Sequence, residues 1–444
     1  MSPPRSKSRF RREGGVIIIL VAIFLLFVVG AMAALSIDVV TFYTARSEAQ
    51  LAADAGALAG ARVLANSGAT SDTNDATMMA NAQILAAGVA TQVARTNLVG
   101  GQTLPTGQIQ TWFNGAGSNP CAAALQISNP CVTVQVTAYL PVFFARIWGS
   151  TQVTIAATAT AEAFNPSGLA TGSTTTQGVP IAPSCVKPWV LPNLDPVTGN
   201  PIFDTTTGQI LNPGLLGAEL SGSTRLHAQC NGPCPAVAQR WQYFVGDDVS
   251  FPHPTQALPA CALTTNFQAS IAGCVQTPIV CPSPSLSPVT IDTTTDSTLD
   301  QQAAEAVDCL THTSGGKGDT ISAAMLPPTA FEFTAGEDNP LVQAGSLSSG
   351  ASSMVSDSLV TVPVFDNSPF GTGNVGTPVT VIGFLQLFLE PSGQRVPTLG
   401  GHVNQIRTKI INLVGCGTNL NATPTTPVYG NGASAVPVRL VSPP

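Results

Sequence analysis

The residues of this chain whose types could do chemistry are four histidines, ten cysteines and a few acidic or glycine-rich loops. His227, His253, His312 and His402 stand far apart, and no HExxH pair sets two imidazoles on one helix face for zinc. Cys230-Asn-Gly-Pro-Cys234 places three residues between its thiols, not the two of a redox pair. It reads as a tight structural loop or as parts of two separate disulfides. Ser314-Gly-Gly-Lys317-Gly-Asp-Thr has a glycine–lysine pair but lacks phosphate-loop spacing and a hydroxyl residue directly after the lysine, so it reads as a turn. No GxSxG nucleophile elbow occurs. Asp292-Thr-Thr-Thr-Asp296 and Gly246-Asp-Asp248 offer carboxylates of the kind calcium takes, without the EF-hand pattern. Exposed turn aspartates are the plainer reading. No catalytic, cofactor or metal set is assigned on these grounds.

The cysteines carry different information. All ten follow Asp38, an even number, as expected of disulfides formed outside a reducing cytoplasm. Connectivity is not legible from spacing, and only two near neighbours suggest themselves, Cys121 with Cys131 and Cys230 with Cys234. Composition agrees with such a setting. Charged residues make up 9% of the 444, while 44% are hydrophobic, which favours β-structure and turns over helix bundles or disorder.

Those cysteines need an element that delivers them across a membrane. The run from Val16 to Ile37 has no charged side chain and is long enough to cross a ~30 Å hydrocarbon core as a helix. Arg5, Lys7, Arg9, Arg11 and Arg12 precede it against Glu13 alone, a net of +4. The whole chain carries −7, so the remainder carries −11. This asymmetry predicts a cytoplasmic tail at residues 1–15, a span at 16–37 and an extracytoplasmic body. The body has no basic patch, so nucleic acid is not an expected partner. A signal peptide cleaved after Ala33 competes with a retained anchor, because Ala31-Met32-Ala33 fits a cleavage site. The apolar run continues past that point to Ile37 and the helix-forming text continues further, so a retained anchor is expected.

Beyond the span, alanine-rich sequence predicts a helix unbroken to about Ala65, an outer stalk of roughly 40 Å. Apolar or small residues at Phe42, Ala45, Ala49, Ala52, Gly56, Ala59 and Val63, three and four apart, make a seam for close packing with Ala52, Gly56, Ala59 and Gly60 at its heart, and Gly56 and Gly60 stand in GxxxG spacing. Packing within the chain and packing with a partner helix both remain open for it. A turn at 66–74, with capping residues at Asp72 and Asn74, leads to a second helix over 75–95. Its face Met78, Ala82, Leu85, Val89 and Val93 has helical spacing. Alternating segments at 106–113, Val132–Val136 and Val153–Ala159 predict a small antiparallel sheet, with the aromatic segment 141–148 between the two longer strands.

Residues 165–180 read as a linker and 181–416 as a β-rich distal domain with one convincing helix near Thr298–Leu310. Strands are expected at Leu359–Phe365, Val379–Leu389 and Thr408–Val414. Residues 417–444, rich in proline, read as a loose tail. The fold class is therefore α+β: a transmembrane helix continuing as a stalk, a helical return, a small sheet and a β-rich domain.

The N-terminal motifs also resemble a known family. Gly14-Gly15 before the apolar run, Ile37-Asp38-Val39, Tyr43-Thr44-Ala45-Arg46 and Leu51-Ala-Ala-Asp54-Ala-Gly-Ala-Leu-Ala-Gly60-Ala-Arg are similar to the N-terminal module of Tad-type (Flp) pilus-assembly proteins, above all TadG-like members. The stretch ending in Ile147–Glu162 carries a weaker likeness. The resemblance implies a non-enzymatic, single-pass inner-membrane protein with its bulk periplasmic or at the cell surface, serving pilus assembly or adhesion. The partners it implies are the lipid bilayer and other Tad components or further copies of the chain. Processed pilin-like relatives have glutamate at the fifth position after the cleaved glycine, where this chain has Leu20. The DxSxS motif of metal-dependent adhesion domains is absent as well. An anchored secreted hydrolase, with its site in the distal domain, is the rival from another class.

Overall fold

The computed structural model describes residues 13–113, 129–144, 149, 151–165, 181–195, 198–222, 242–244, 265–275, 277–281, 283–286, 288–289, 297–311, 318–321, 330–366, 379–390, 406–416, 428–430 and 434–441. The basic tail up to residue 12 lies outside them, as does the expected linker except Asn165. The fold is α+β. Its first helix, α1, runs without a break from Glu13 to Asn66. No proline interrupts it, and alanine and leucine dominate its outer half. Helix α2 follows over Ala76–Thr96. Its N-cap is Asp75, whose Oδ1 accepts from the backbone N–H of Thr77 at 3.0 Å and of Met78 at 2.9 Å. Asp72, expected in that role, braces the preceding turn through the N–H of Asn74.

Strands β1 (Ile109–Phe113), β2 (Cys131–Pro141) and β3 (Gln152–Ala163) form a sheet completed at its edge by β17 (Val438–Val441), in the order β1-β2-β3-β17. In β2, Val132, Val134, Val136, Ala138 and Leu140 are all buried, the two-residue period of a strand with a covered face. The presence of β17 overturns the expectation of a loose tail over 417–444. It runs antiparallel to β3, pairing Arg439 with Glu162. The Arg439 guanidinium bonds the buried Glu162 carboxylate and lies 5.1 Å from the Phe164 ring centre. Further back, β16 (Val428–Gly430) pairs in parallel with β4 (Ile181–Pro183).

The largest sheet is built on β13 (Leu359–Phe365), β14 (Val379–Leu389) and β15 (Ile406–Gly415), joined antiparallel in that order. β13 and nearly all of β14 are buried, which explains their unbroken apolar text. Beyond β15 lies β6 (Glu219–Gly222), and beyond β13 lie β5 (Trp189–Pro192), β7 (Gln242–Phe244) and β9 (Pro288–Val289), while β8 (Ser283–Leu286) also pairs with β14. Gly383 is required where it stands: a Cβ there would sit 2.7 Å from the Phe203 ring. A small third sheet joins β10 (Thr320–Ile321), β11 (Phe333–Thr334) and β12 (Ser352–Ser353).

The region has more helix than the single one expected. Besides α4 (Ser297–Leu310) there is α3 (Asn266–Ala272), opened by a capping box between Thr265 and Gln268, and a short turn of helix at Pro340–Gln343. The side chain of Gln268 reaches Glu305 of α4 at 3.0 Å.

By compactness the chain forms two units. One comprises Met1–Gly56, Thr91–Gln110 and Val134–Ala159; the other comprises Ala57–Ala90, Thr111–Thr133 and Thr160–Pro444. The division passes through α1, α2 and the strands instead of falling at residues 165–180.

Candidate functional site

Helix α1 is long and apolar enough to cross a membrane, and nothing among the described residues covers its most apolar window. Phe24, Leu26 and Phe27 are exposed by 67%, 76% and 74%. Water-exposed apolar side chains in unbroken sequence are what a lipid-facing helix requires and what a soluble surface avoids.

The run ends at Asp38, which is 1% exposed. Its carboxylate accepts the backbone N–H of Phe143 on Oδ1 at 3.2 Å and of Phe144 on Oδ2 at 3.0 Å. These residues lie at the turn between β2 and β3, which closes through Val142 N–H to the Thr151 carbonyl. A carboxylate taken out of water needs such donors. One to two turns further along α1, Val39, Phe42, Tyr43 and Arg46 line one wall of an open groove of about 460 Å³, with Thr154, Ile155 and Ala156 of β3 opposite. Glu48 then accepts from the N–H of Gly100, whose φ is +59°.

The packing seam comes next. Ala52, Gly56 and Gly60 are buried and Ala59 is half-buried. A second row at intervals of four, Ala45, Ala49, Ala53, Ala57, Ala61 and Ala65, is almost completely covered. At Gly60 a Cβ would lie 3.1 Å from Val132 Cγ1 of β2, 3.2 Å from Ala90 Cβ and 3.4 Å from the Ala86 carbonyl oxygen of α2. In the outer unit the seam at Gly60 is therefore occupied within the chain. The buried face of α2 differs from the one expected. Met78, Ala82, Ala86, Ala90 and Ala94 are covered, whereas Leu85, Val89 and Val93 are half-buried. Backbones this close leave no room for branched side chains, so alanines fill the contact and the larger residues flank it. Arg62 is half-buried on α1, and burial pulls its guanidinium below the usual range.

The end of α1 is fastened by amides that sequence reading did not single out. Asn412 of β15 donates from Nδ2 to the Ala65 carbonyl at 2.6 Å and to Gln386 Oε1. Its Oδ1 accepts from Thr70 at 3.2 Å and Ser71 at 3.1 Å. Gln386 of β14 donates to Asn66 Oδ1 at 2.9 Å, and Asn66 donates to the Met354 carbonyl at 3.0 Å. Asn165 bonds the carbonyls of Thr70 and Leu413, each at 3.0 Å. All four amide residues are at most 1% exposed. The only signal in the sequence was a polar residue interrupting each apolar strand, Gln386 and Asn412, and its partners are remote in the chain.

Two disulfides are placed among the described residues. Cys185 pairs with Cys274 and Cys281 with Cys416, with Cα separations of 4.6 and 5.1 Å. Cys131 and Cys309 are disulfide-bonded too, so every described cysteine is oxidised. Cys121, Cys230 and Cys234, named in the two suggested pairs, lie outside the described residues. So do all four histidines and both candidate calcium loops, Asp292–Asp296 and Gly246–Asp248. Among the described residues no three His, Cys, Asp or Glu side chains gather as a metal site.

Two buried titratable groups serve the fold. Lys187 Nζ bonds the carbonyls of Ile271, at 2.7 Å, and Gly273 at the end of α3. Burial pushes its pKa down to about 7, with Asp357 acting the other way. Burial raises Asp319, against hydrogen bonds from Ser356, the Gly336 N–H and Asn339.

Comparison with known proteins adds one match. No curated protein and no solved structure matches the chain. The Tad family, described as Flp pilus-assembly TadE/G-like, matches residues 14–63, which is the exposed apolar helix together with the alanine seam. The segment 14–63, an apolar helix that continues into the alanine seam, is similar to the TadE/G-like module of Flp pilus-assembly proteins.

Proposed function

We propose that this protein is a single-pass, non-enzymatic envelope component of a Flp-type pilus or adhesion system, TadG-like in kind. In this reading residues 1–15 are cytoplasmic, 16–37 span the inner membrane, and the body lies on the periplasmic or cell-surface side. The observation that carries the reading is the family match at 14–63 on a helix that runs unbroken to Asn66. The bonded cysteines fit an oxidising compartment. The +4 N-terminal charge fits the orientation.

The mechanism is mechanical. Lipid holds the first part of α1, and the Asn66–Gln386–Asn412 amides hold its far end in the β-rich body. Helix α1 is unbroken from the apolar run to these amides, and partners of the assembly dock on the body. Deleting the gene and restoring it, followed by counting surface pili by electron microscopy, tests the role. Loss of pili that only a membrane-inserted chain restores is the expected result, and normal piliation without the protein overturns it. Alkaline carbonate extraction with intact-mass measurement tests the anchor. A soluble product lacking residues 1–33 overturns that part.

A further inference from the structure

Most of the large exposed apolar side chains of α1 lie between Ile17 and Val40, with Tyr43 and Leu51 beyond them, and that stretch rises about 35 Å, slightly more than the ~30 Å hydrocarbon core. Asp38 therefore falls at the outer edge of the bilayer and not above it. Its carboxylate is 1% exposed because the β2–β3 turn folds over it. That contact carries Phe143, 61% exposed, and Phe144, 36% exposed, to the depth of residue 38. Tyr43, 71% exposed, stands about 8 Å higher, and the groove it lines is walled by Val39, Phe42 and Arg46 of α1 and by Thr154, Ile155 and Ala156 of β3. Exposed aromatic side chains within about 8 Å of depth beside a span, with a cation just outside, match the headgroup zone of a bilayer.

We propose that Phe143 and Phe144, just beyond the end of β2, and the groove lined by α1 and β3 rest in the headgroup layer and hold phospholipid, with Arg46 facing the phosphate. The unit that holds Asp38 and most of β2 and β3 then touches the membrane surface at that point. The two backbone bonds to Asp38 set the hairpin's depth. This inference rests on the reading of α1 as a membrane span, and its test separates the two.

The full chain is placed in nanodiscs of phosphatidylethanolamine and phosphatidylglycerol with photoreactive p-benzoylphenylalanine at one position at a time. The positions are Phe143, Phe144 and Tyr43, with Leu26 of the span as a lipid-facing reference. Leu98 is the reference above the surface; it is 53% exposed, and nearby Gly100 is tied to Glu48, about 15 Å beyond Asp38. After illumination, the expected result is a mass increase of one phospholipid at residues 26, 43, 143 and 144 and none at 98. Adducts at 26 without any at 143 and 144 overturn the hairpin proposal and leave the anchor standing. No adduct at 26 overturns the anchor and this proposal with it. Cross-linking of 143 to a second chain in place of lipid also overturns it, because the face is then a protein interface. Variants are compared only where the thiols remain protected, and three separate positions keep one misfolded variant from deciding the outcome. Asp38→Ala, read with the probe at 143, is expected to lose most of the lipid adduct there while keeping that at 26.

Discussion

At the scale of residues, Gly60 sits where opposing effects can be weighed. A methyl group meets neighbours at 3.1–3.4 Å, while replacing glycine within a helix returns about 1 kcal/mol of propensity. Gly60→Ala is therefore expected to be nearly neutral. Gly60→Leu overfills the contact with α2 and β2 and is expected to cost ~1–3 kcal/mol, read as a lower melting temperature in detergent. Asn412 uses both amide hydrogens and both lone pairs of its oxygen. Asn412→Leu strands several buried partners at ~1–3 kcal/mol each, and faster proteolysis around residues 66–71 is the expected sign. Lys187 predicts a pH effect. Its folded pKa, about 7, lies below the unfolded 10.5, so between those values the unfolded chain binds the proton and the native one does not. Stability from this group rises with pH across that window and is flat below it. Denaturant titrations of wild type and Lys187→Met at pH 7, 8 and 9 should differ in slope with pH, the variant lacking the rise.

At the scale of elements, the helix pair and the edge strand teach different lessons. The length of α1 was legible because apolar and alanine-rich text runs unbroken from Val16 to Ala65. The face of α2 differs from the one its helical spacing suggested, because spacing alone does not choose between neighbouring faces; at a close helix contact the smallest residues are the most buried, hence Ala82, Ala86 and Ala90. Strand β17 was missed because its four residues carry little pattern and its partner lies in β3, far back in the chain. It is held by Arg439, which is half exposed, against a Glu162 that is not. Arg439→Met leaves that carboxylate without its charged hydrogen bond and is expected to cost about 1.5–3 kcal/mol, measured by chemical denaturation.

At the scale of the whole molecule, topology and redox state are joined. Each described cysteine is bonded, and Cys185–Cys274 and Cys281–Cys416 close loops of 89 and 135 residues. Protein taken from the envelope and alkylated without reductant should show all six described cysteines unlabelled, and at most two free thiols in the chain. Reduction is expected to destabilise it by ~2–4 kcal/mol per bridge. Labelling of Cys185 or Cys416 in intact cells would place the body in the cytoplasm.

The sequence by itself determined whatever follows from local pattern: the charge-free apolar run, the unbroken helix, the buried strands β13 and β14, and the family match of residues 14–63. Periodicity, length and charge asymmetry need no knowledge of distant partners. The tertiary structure alone decided which cysteines pair, that Asn412 closes on Ala65 across 347 positions, and that Asp38 takes the hairpin's N–H groups from 105 and 106 residues away. Those contacts satisfy buried polar groups, and a buried polar group leaves no periodic trace, since its partner can stand anywhere in the chain that folding brings within hydrogen-bonding distance.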